Sequence, residues 1–305
     1  MITNKFIVSI EDEDERIDKY LASRNETMSR SRIQKLLEDQ KVTVNDKVVK
    51  SNYKICEDDV IVVNIPEPVA VNIEPQNIPL DIVYEDDDII IINKPKGLVV
   101  HPAPGHYNDT LVNALMYHCK DNLSGINGEL RPGIVHRIDM NTTGLLVCCK
   151  NDVSHNFIAE QFKVHSGTRR YEAIVHNTLT DDEGVIDAPI GRSVNDRKKM
   201  AINQKNGRDA ITHYKVIERF KNFTHVECQL ETGRTHQIRV HMASIRHPLL
   251  GDDVYGPANC PFNLSGQTLH AGVLGFIHPR TKEYVEFSVK RPEYFDKLIN
   301  ILRTR

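Results

Sequence analysis

His136-Arg137-Ile138-Asp139-Met140-Asn141-Thr142-Thr143-Gly144-Leu145 sets one carboxylate beside an arginine, just before a polar turn and an apolar run. A carboxylate at the mouth of a buried strand is placed to act as a sheltered anionic group, provided that a cation offsets its desolvation. About a hundred residues later, Thr232-Gly233-Arg234-Thr235-His236-Gln237-Ile238-Arg239-Val240-His241 carries two more arginines that can supply it. The apolar run after Gly144 predicts a strand over Leu145–Cys149. Working outward, Ile89–Ile92 predicts a buried strand ending at Asn93-Lys94-Pro95, and further strands are expected over 170–176, 211–218, 223–230, 269–276 and 284–289. Helices are expected over 111–119, capped by Asp109 or Thr110, and over 152–164, 235–244 and 293–302. The last of these places Phe295, Leu298, Ile299 and Leu302 on one face. The pattern is α+β, a predominantly antiparallel mixed sheet with flanking helices.

A smaller unit precedes this one. Ile17, Tyr20 and Leu21 recur at helical spacing, and Ser29 offers an N-cap for a second helix with Ile33, Leu36 and Leu37 inward. Val42 and Val44 alternate with polar residues, Asn45-Asp46 signals a turn, and Val60–Val63 adds a strand, giving a small α/β domain over 13–65. Prolines at 66, 68, 75 and 79 mark residues 66–80 as a linker, because proline fixes its own backbone and extends its predecessor. The larger domain then covers 81–305.

The chain has 305 residues, 40% hydrophobic and 27% charged, which fits folded domains and excludes disordered, collagen-like and membrane classes. The net charge of −3 averages over unlike regions. Between Met28 and Lys54, Lys and Arg at 30, 32, 35, 41, 47, 50 and 54 face acids only at 38, 39 and 46, whereas Glu11–Glu15 is entirely acidic. Six cysteines without C-x-x-C spacing argue against a metal site or disulfide framework. No basic-then-apolar leader and no long apolar run is seen, so the expectation is a cytoplasmic protein without membrane contact. His236 and His241 lie five apart, unlike the i, i+4 pair of zinc proteases, and no H-E-x-x-H is present; they read as structural or ligand-contacting hydrogen bonders, with no metal. Gly97, Gly105, Gly144 and Gly233 fit no phosphate-loop or dinucleotide pattern, and Gly144 and Gly233 are expected to permit tight turns presenting Asp139 and Arg234. His101-Pro102-Ala103-Pro104-Gly105 reads as a loop near the site.

Within the small domain, Arg16-Ile17-Asp18-Lys19-Tyr20-Leu21, Ser29–Leu36 and Val42-Thr43-Val44-Asn45 resemble the ribosomal-protein-S-four-like RNA-binding module. Arg30, Arg32 and Lys35 are then expected on one face, contacting phosphates in a salt-sensitive way. In the larger domain, His136–Leu145 resembles the catalytic motif H-R-L-D-x-x-T-S-G-L of the RluA/RluD-type pseudouridine synthases, with Ile138 and Thr143 as two mild departures. Asn93-Lys94-Pro95-Lys96-Gly97 and Arg234–His241 match that family too.

The resemblance implies the pseudouridine synthase fold and an RNA pseudouridine synthase acting on large-subunit ribosomal RNA, a role in ribosome biogenesis, no cofactor, and a monomer. It places the catalytic aspartate at Asp139, its ionic partner at Arg239 and the base-stacking tyrosine at Tyr171 in Arg169-Arg170-Tyr171-Glu172-Ala173. Arg137, His136, Thr142, Arg234, His236 and Gln237 become substrate contacts. A target uridine must be flipped out to expose its anomeric carbon. The carboxylate can attack that carbon, stabilise a cationic sugar or remove a sugar proton, and the sequence leaves these routes open. A non-catalytic ribosome-associated RNA-binding protein is the alternative. A base-flipping hydrolase that releases uracil is a third reading, and it lacks an evident base to activate water.

Overall fold

The computed structural model describes residues 2–24, 30–65, 73–102, 107–120, 122–126, 131–194, 196 and 199–304, apart from the side chains of Ile2, Ser31 and Arg32. The chain divides into two compact units, residues 1–71 and 72–305.

In the first unit, β1 (Ile2–Ile7), α1 (Ile17–Ser23), α2 (Arg30–Glu38), β2 (Val42–Val44), β3 (Lys47–Val48) and β4 (Val60–Ile65) follow in order. The sheet runs β1-β4-β2-β3, all antiparallel. Asn45 and Asp46 both take positive φ, as a two-residue hairpin turn demands. Ile17, Leu21, Ile33, Leu36, Ile55 and Ile61 pack between helices and sheet. Ahead of the domain start expected at 13, β1 pairs with β4 from Ile2 to Ile7, so the compact unit also takes in this strand. That strand escapes notice because its alternation is interrupted by Asn4 and Lys5. The expected N-cap Ser29 lies outside the described residues.

The second unit holds β5 (Ile82–Glu85), β6 (Ile89–Lys94), α3 (Leu111–Cys119), β7 (Thr143–Cys149), α4 (Asp152–Lys163), β8 (Thr168–His176) and β9 (Glu183–Asp187). After these come β10 (Ile190–Arg192), β11 (Met200–Ile202), β12 (Ile211–Arg219), β13 (Phe223–Leu230), α5 (Gln237–Ser244), β14 (Leu269–Ile277), β15 (Tyr284–Ser288) and α6 (Glu293–Arg303). Nine strands form one sheet in the order β5-β6-β7-β14-β8-β13-β12-β9, with β15 also on β14. Every pairing in it is antiparallel except β7 with β14. The α+β, antiparallel-dominated reading therefore stands. Residues 73–80 belong with this unit: Ile73 is buried, and Asn113 is hydrogen-bonded to both Glu74 and Gln76.

Thr110 caps α3 in a reciprocal box with Asn113, and the Asn151 side chain caps α4. Ile89, Ile91, Leu145, Val147, Phe162 and Phe276 make one core layer between the sheet and α4. Phe295, Leu298, Ile299 and Leu302 of α6 seal another against Ile174 and Leu250. The parallel junction is tight. His270 faces Thr143 and Ala271 faces Gly144, whose φ of +108° and closeness to the Ala271 carbonyl exclude a side chain. Gly144 thus serves a close strand approach rather than a turn.

Candidate active site

Asp139 precedes β7 by a tight turn, in which the Thr142 amide donates to the Asp139 carbonyl at 3.0 Å. Behind it, Lys94 at the end of β6 is fully buried and donates its three protons to the carbonyls of Pro95, Leu98 and Met140, at 2.8, 2.9 and 2.9 Å. Burial pushes the Lys94 ammonium down to about 7, while the charge of Asp139 works to hold it up. One cation thus stitches the Asn93–Gly97 loop to the Asp139 turn.

Helix α5 delivers the counterion. Arg239 is 4% exposed, and its Nη1 donates to Asp139 Oδ2 at 3.0 Å. Its other edge is bidentate on Asp252, Nε to Oδ2 at 2.7 Å and Nη2 to Oδ1 at 2.9 Å. Asp252 also accepts from the amides of Val254 and Tyr255, and the Arg239 guanidinium lies over the Tyr255 ring, 5.1 Å from its centroid. Burial alone would lower the Arg239 pKa, but the two carboxylates outweigh it and raise it. Burial likewise works to raise the pKa of Asp252, and Arg239 overrides it, so that Asp252 is lowered. The Asp139 carboxylate is about a quarter exposed, on the wall of a cleft of about 710 Å³.

The remaining expected residues take distinct places. Tyr171 is buried on β8 and lines the cleft; burial raises its pKa, Arg169 opposes this and Asp139 adds to it. Arg137 is exposed and donates to Thr235 Oγ1 at 2.7 Å, tying the two motif loops together. His136 lines the cleft but accepts the Val147 amide on Nε2 at 3.0 Å; burial pushes its pKa down to about 3, which keeps it neutral for that bond. Thr142 is buried and accepts from Gln267. Arg234 lines the cleft, held by the Asp209 carbonyl. His236 caps α5 in a left-handed conformation, its Nδ1 2.8 Å from the Tyr255 hydroxyl and its Nε2 3.8 Å from Asp139 Oδ1. His241 points elsewhere, to Thr212 and Ala188. His101 also lines the cleft, while 103–105 lie outside the described residues.

Two expectations change. Gln237 is no free RNA contact: its amide bonds Thr232, the Arg234 amide, Ile211 and Thr212, building the turn before α5. In the first unit, Arg30 and Lys35 do not share a face, since residues five apart on a helix diverge by about 140°. Arg30 reaches instead to the buried Asp18, which also binds Arg16 and Gln34. Lys35 pairs with Asp39 at 2.8 Å. The Arg32 side chain lies outside the described residues.

Asp252, Tyr255 and the role of Lys94 were missed. An aspartate in Leu250-Gly251-Asp252-Asp253-Val254-Tyr255-Gly256 reads as a turn residue, and only tertiary structure brings it to Arg239. The one available signal was that a second acid is needed if Arg239 is to be held as well as paired.

Among the described residues, Arg131, Arg137, Lys163, Arg169, Arg208, Arg234 and Arg239 line the cleft, with Asp139 the single acid. In a chain of net charge −3 this is a concentrated field for a polyanion, focused on one carboxylate. The profile described as RNA pseudouridylate synthase matches residues 88–244, spanning the whole of this arrangement up to α5. The chain belongs to that family. An S4 domain profile matches residues 15–61. A similar RNA pseudouridine synthase, the uncharacterised YlyB of Bacillus subtilis, is 54% identical over 97% of this chain and 96% of its own. The ribosomal large subunit pseudouridine synthase D of Zymomonas mobilis is 47% identical over 94% and 93%. Among solved structures, human RNA pseudouridylate synthase domain containing 4 superposes with a TM-score of 0.58 at 26% identity, covering 73% of this chain and 92% of that one.

Proposed function

We propose that this RNA pseudouridine synthase acts in the cytoplasm on large-subunit ribosomal RNA, as a monomer without cofactor, during ribosome biogenesis. In the reaction, the bond from the anomeric carbon to uracil N1 breaks, the base turns, and a bond to C5 forms. The C5 proton leaves and N1 regains one, so nothing is oxidised or reduced. Asp139 acts on the sugar, Arg239 holds and aims its carboxylate, and Tyr171 stacks on the flipped base. Arg137 and Arg234 hold RNA at the rim, and His236 stands beside the carboxylate. The first unit adds Arg16 and Arg30, two half-exposed guanidiniums sharing one buried carboxylate and so retaining a net positive charge.

The observation that carries this reading is the chain Asp139–Arg239–Asp252 at one wall of a cleft otherwise lined by cations. A binder needs the cations but not the clamp. Relatives named as large-subunit enzymes, at 40–47% identity over most of the chain, support the choice of RNA. The test is to incubate the protein with unmodified large-subunit ribosomal RNA and map pseudouridines. New pseudouridine in that RNA is expected; conversion only of transfer RNA would redirect the substrate, and free uracil would replace isomerisation by hydrolysis.

A further inference from the structure

Arg239 shows what a buried arginine looks like when its charge is met: at 4% exposure it has two carboxylates on its two edges. Arg169 is equally deep, at 5%, and has none within ion-pairing distance among the described residues. Its Nη2 donates to the neutral Glu231 carbonyl at 2.7 Å, its Nε has no partner among the described residues, and its guanidinium lies 5.4 Å from the centre of the Phe162 ring. Leaving a charge buried without a counter-charge is costly, and a fold that needed only a strut there could use a neutral side chain. Space has been kept for the group. A Cβ on Gly233 would stand 2.7 Å from Arg169 Nη1, so the guanidinium in this position lies directly against the glycine, and a side chain there would displace it.

Arg169 is two residues before Tyr171 on β8, so both side chains leave the same face of the strand, and both line the cleft with Arg234. Arg234 and Arg137 also have no carboxylate partner among the described residues; each is positioned by a neutral oxygen. The cleft beside Tyr171 is therefore a region of preset positive charge whose balancing anion the described residues do not supply. A uracil carbonyl would accept a hydrogen bond from Arg169 but leave the charge unmet.

We propose that Arg169, seated against Gly233, is the centre of a phosphodiester subsite that takes the backbone phosphate of a nucleotide adjoining the uridine that enters the cleft. The subsite rests on the reading of the protein as acting on a flipped nucleotide in RNA. It makes Arg169 a binding residue, which fixes the register of the strand against Asp139 and Tyr171 without reading sequence.

The experiment compares the full-length enzyme with Arg169→Gln and Arg169→Lys on a ribosomal RNA fragment that the wild type converts. Fragments carrying a single uncharged methylphosphonate at each linkage around the target uridine are assayed in parallel. Arg169→Gln is expected to raise KM about tenfold with a much smaller change in kcat, and to lower the log–log salt slope of binding by about one. Arg169→Lys should recover part of the loss. One methylphosphonate position should cost the wild type a similar factor and cost Arg169→Gln nothing further, the signature of a shared contact. The proposal is overturned if KM and salt slope are unchanged in Arg169→Gln, or if no neutral linkage weakens the wild type. Should Arg169→Gln fail to fold, the linkage scan on wild type and Arg169→Lys decides alone. Failure of the wild type to convert any RNA would instead count against the functional reading, and the salt slope of binding would still test the subsite.

Discussion

A guanidinium has two usable edges, and Arg239 spends them on different tasks: one pair of donors grips Asp252 and the remaining Nη1 presents to Asp139. The first contact sets the plane of the group, and the second uses it. Asp252 does not line the cleft, so it acts on the chemistry through the groups it holds, Arg239 directly and His236 by way of Tyr255. Asp252→Asn keeps the shape but removes the charge and one acceptor, letting the guanidinium tilt. We expect kcat to fall about a hundredfold, the loss that misplacing a reacting group by about 1 Å can bring, with RNA affinity retained. Single-turnover rates and filter-binding on the same variant check both halves; an unchanged rate would mean that Asp139 needs no such alignment. His236 belongs to the same cluster through Tyr255, which explains why a left-handed histidine is tolerated at the head of α5.

Among the elements, the junction of β7 with β14 is the most demanding. It is the one parallel pairing in the large sheet, and it begins at Thr143 and Gly144, immediately after the Asp139 turn. Gly144→Ala brings a Cβ against the Ala271 carbonyl at a φ that side chains rarely adopt, and is expected to cost about 3 kcal/mol in urea unfolding, with activity lost in proportion to the displaced turn. A fully stable variant would show that the strands can part without harm. Most elements were legible because their signals are local: four consecutive isoleucines in β6, the helical face of α6, the Thr110 cap. β1, β5, β9 and the short pair β10–β11 were not, since edge and two-stranded pieces have little apolar alternation to read. At the site, Asp139, Tyr171 and Arg239 were legible by resemblance to family motifs. Asp252 and the unmet charge of Arg169 depend on contacts between residues far apart in sequence, as with Arg169 to Glu231, and no local pattern encodes those.

For the whole molecule, charge is sorted rather than balanced. Among the described residues the cleft of the second unit holds seven Lys and Arg against one acid, and the first unit keeps Arg16 and Arg30 on the buried Asp18. If both units bind phosphate, each cation removed from the first should lower the log–log salt slope of RNA binding by about one, with the loss in affinity rather than turnover. Arg16→Gln and Arg30→Gln, measured singly and together by titration at several salt concentrations, provide the check; slopes that stay at the wild-type value would exclude these two residues from the interface.

We propose that one carboxylate does the chemistry, and Asp139→Asn is the variant that decides it. With the fold verified by thermal melting and RNA binding by titration, the account predicts that pseudouridine formation in large-subunit ribosomal RNA falls by at least about a thousandfold while binding persists. Conversion by Asp139→Asn at a rate near that of the wild type would contradict it.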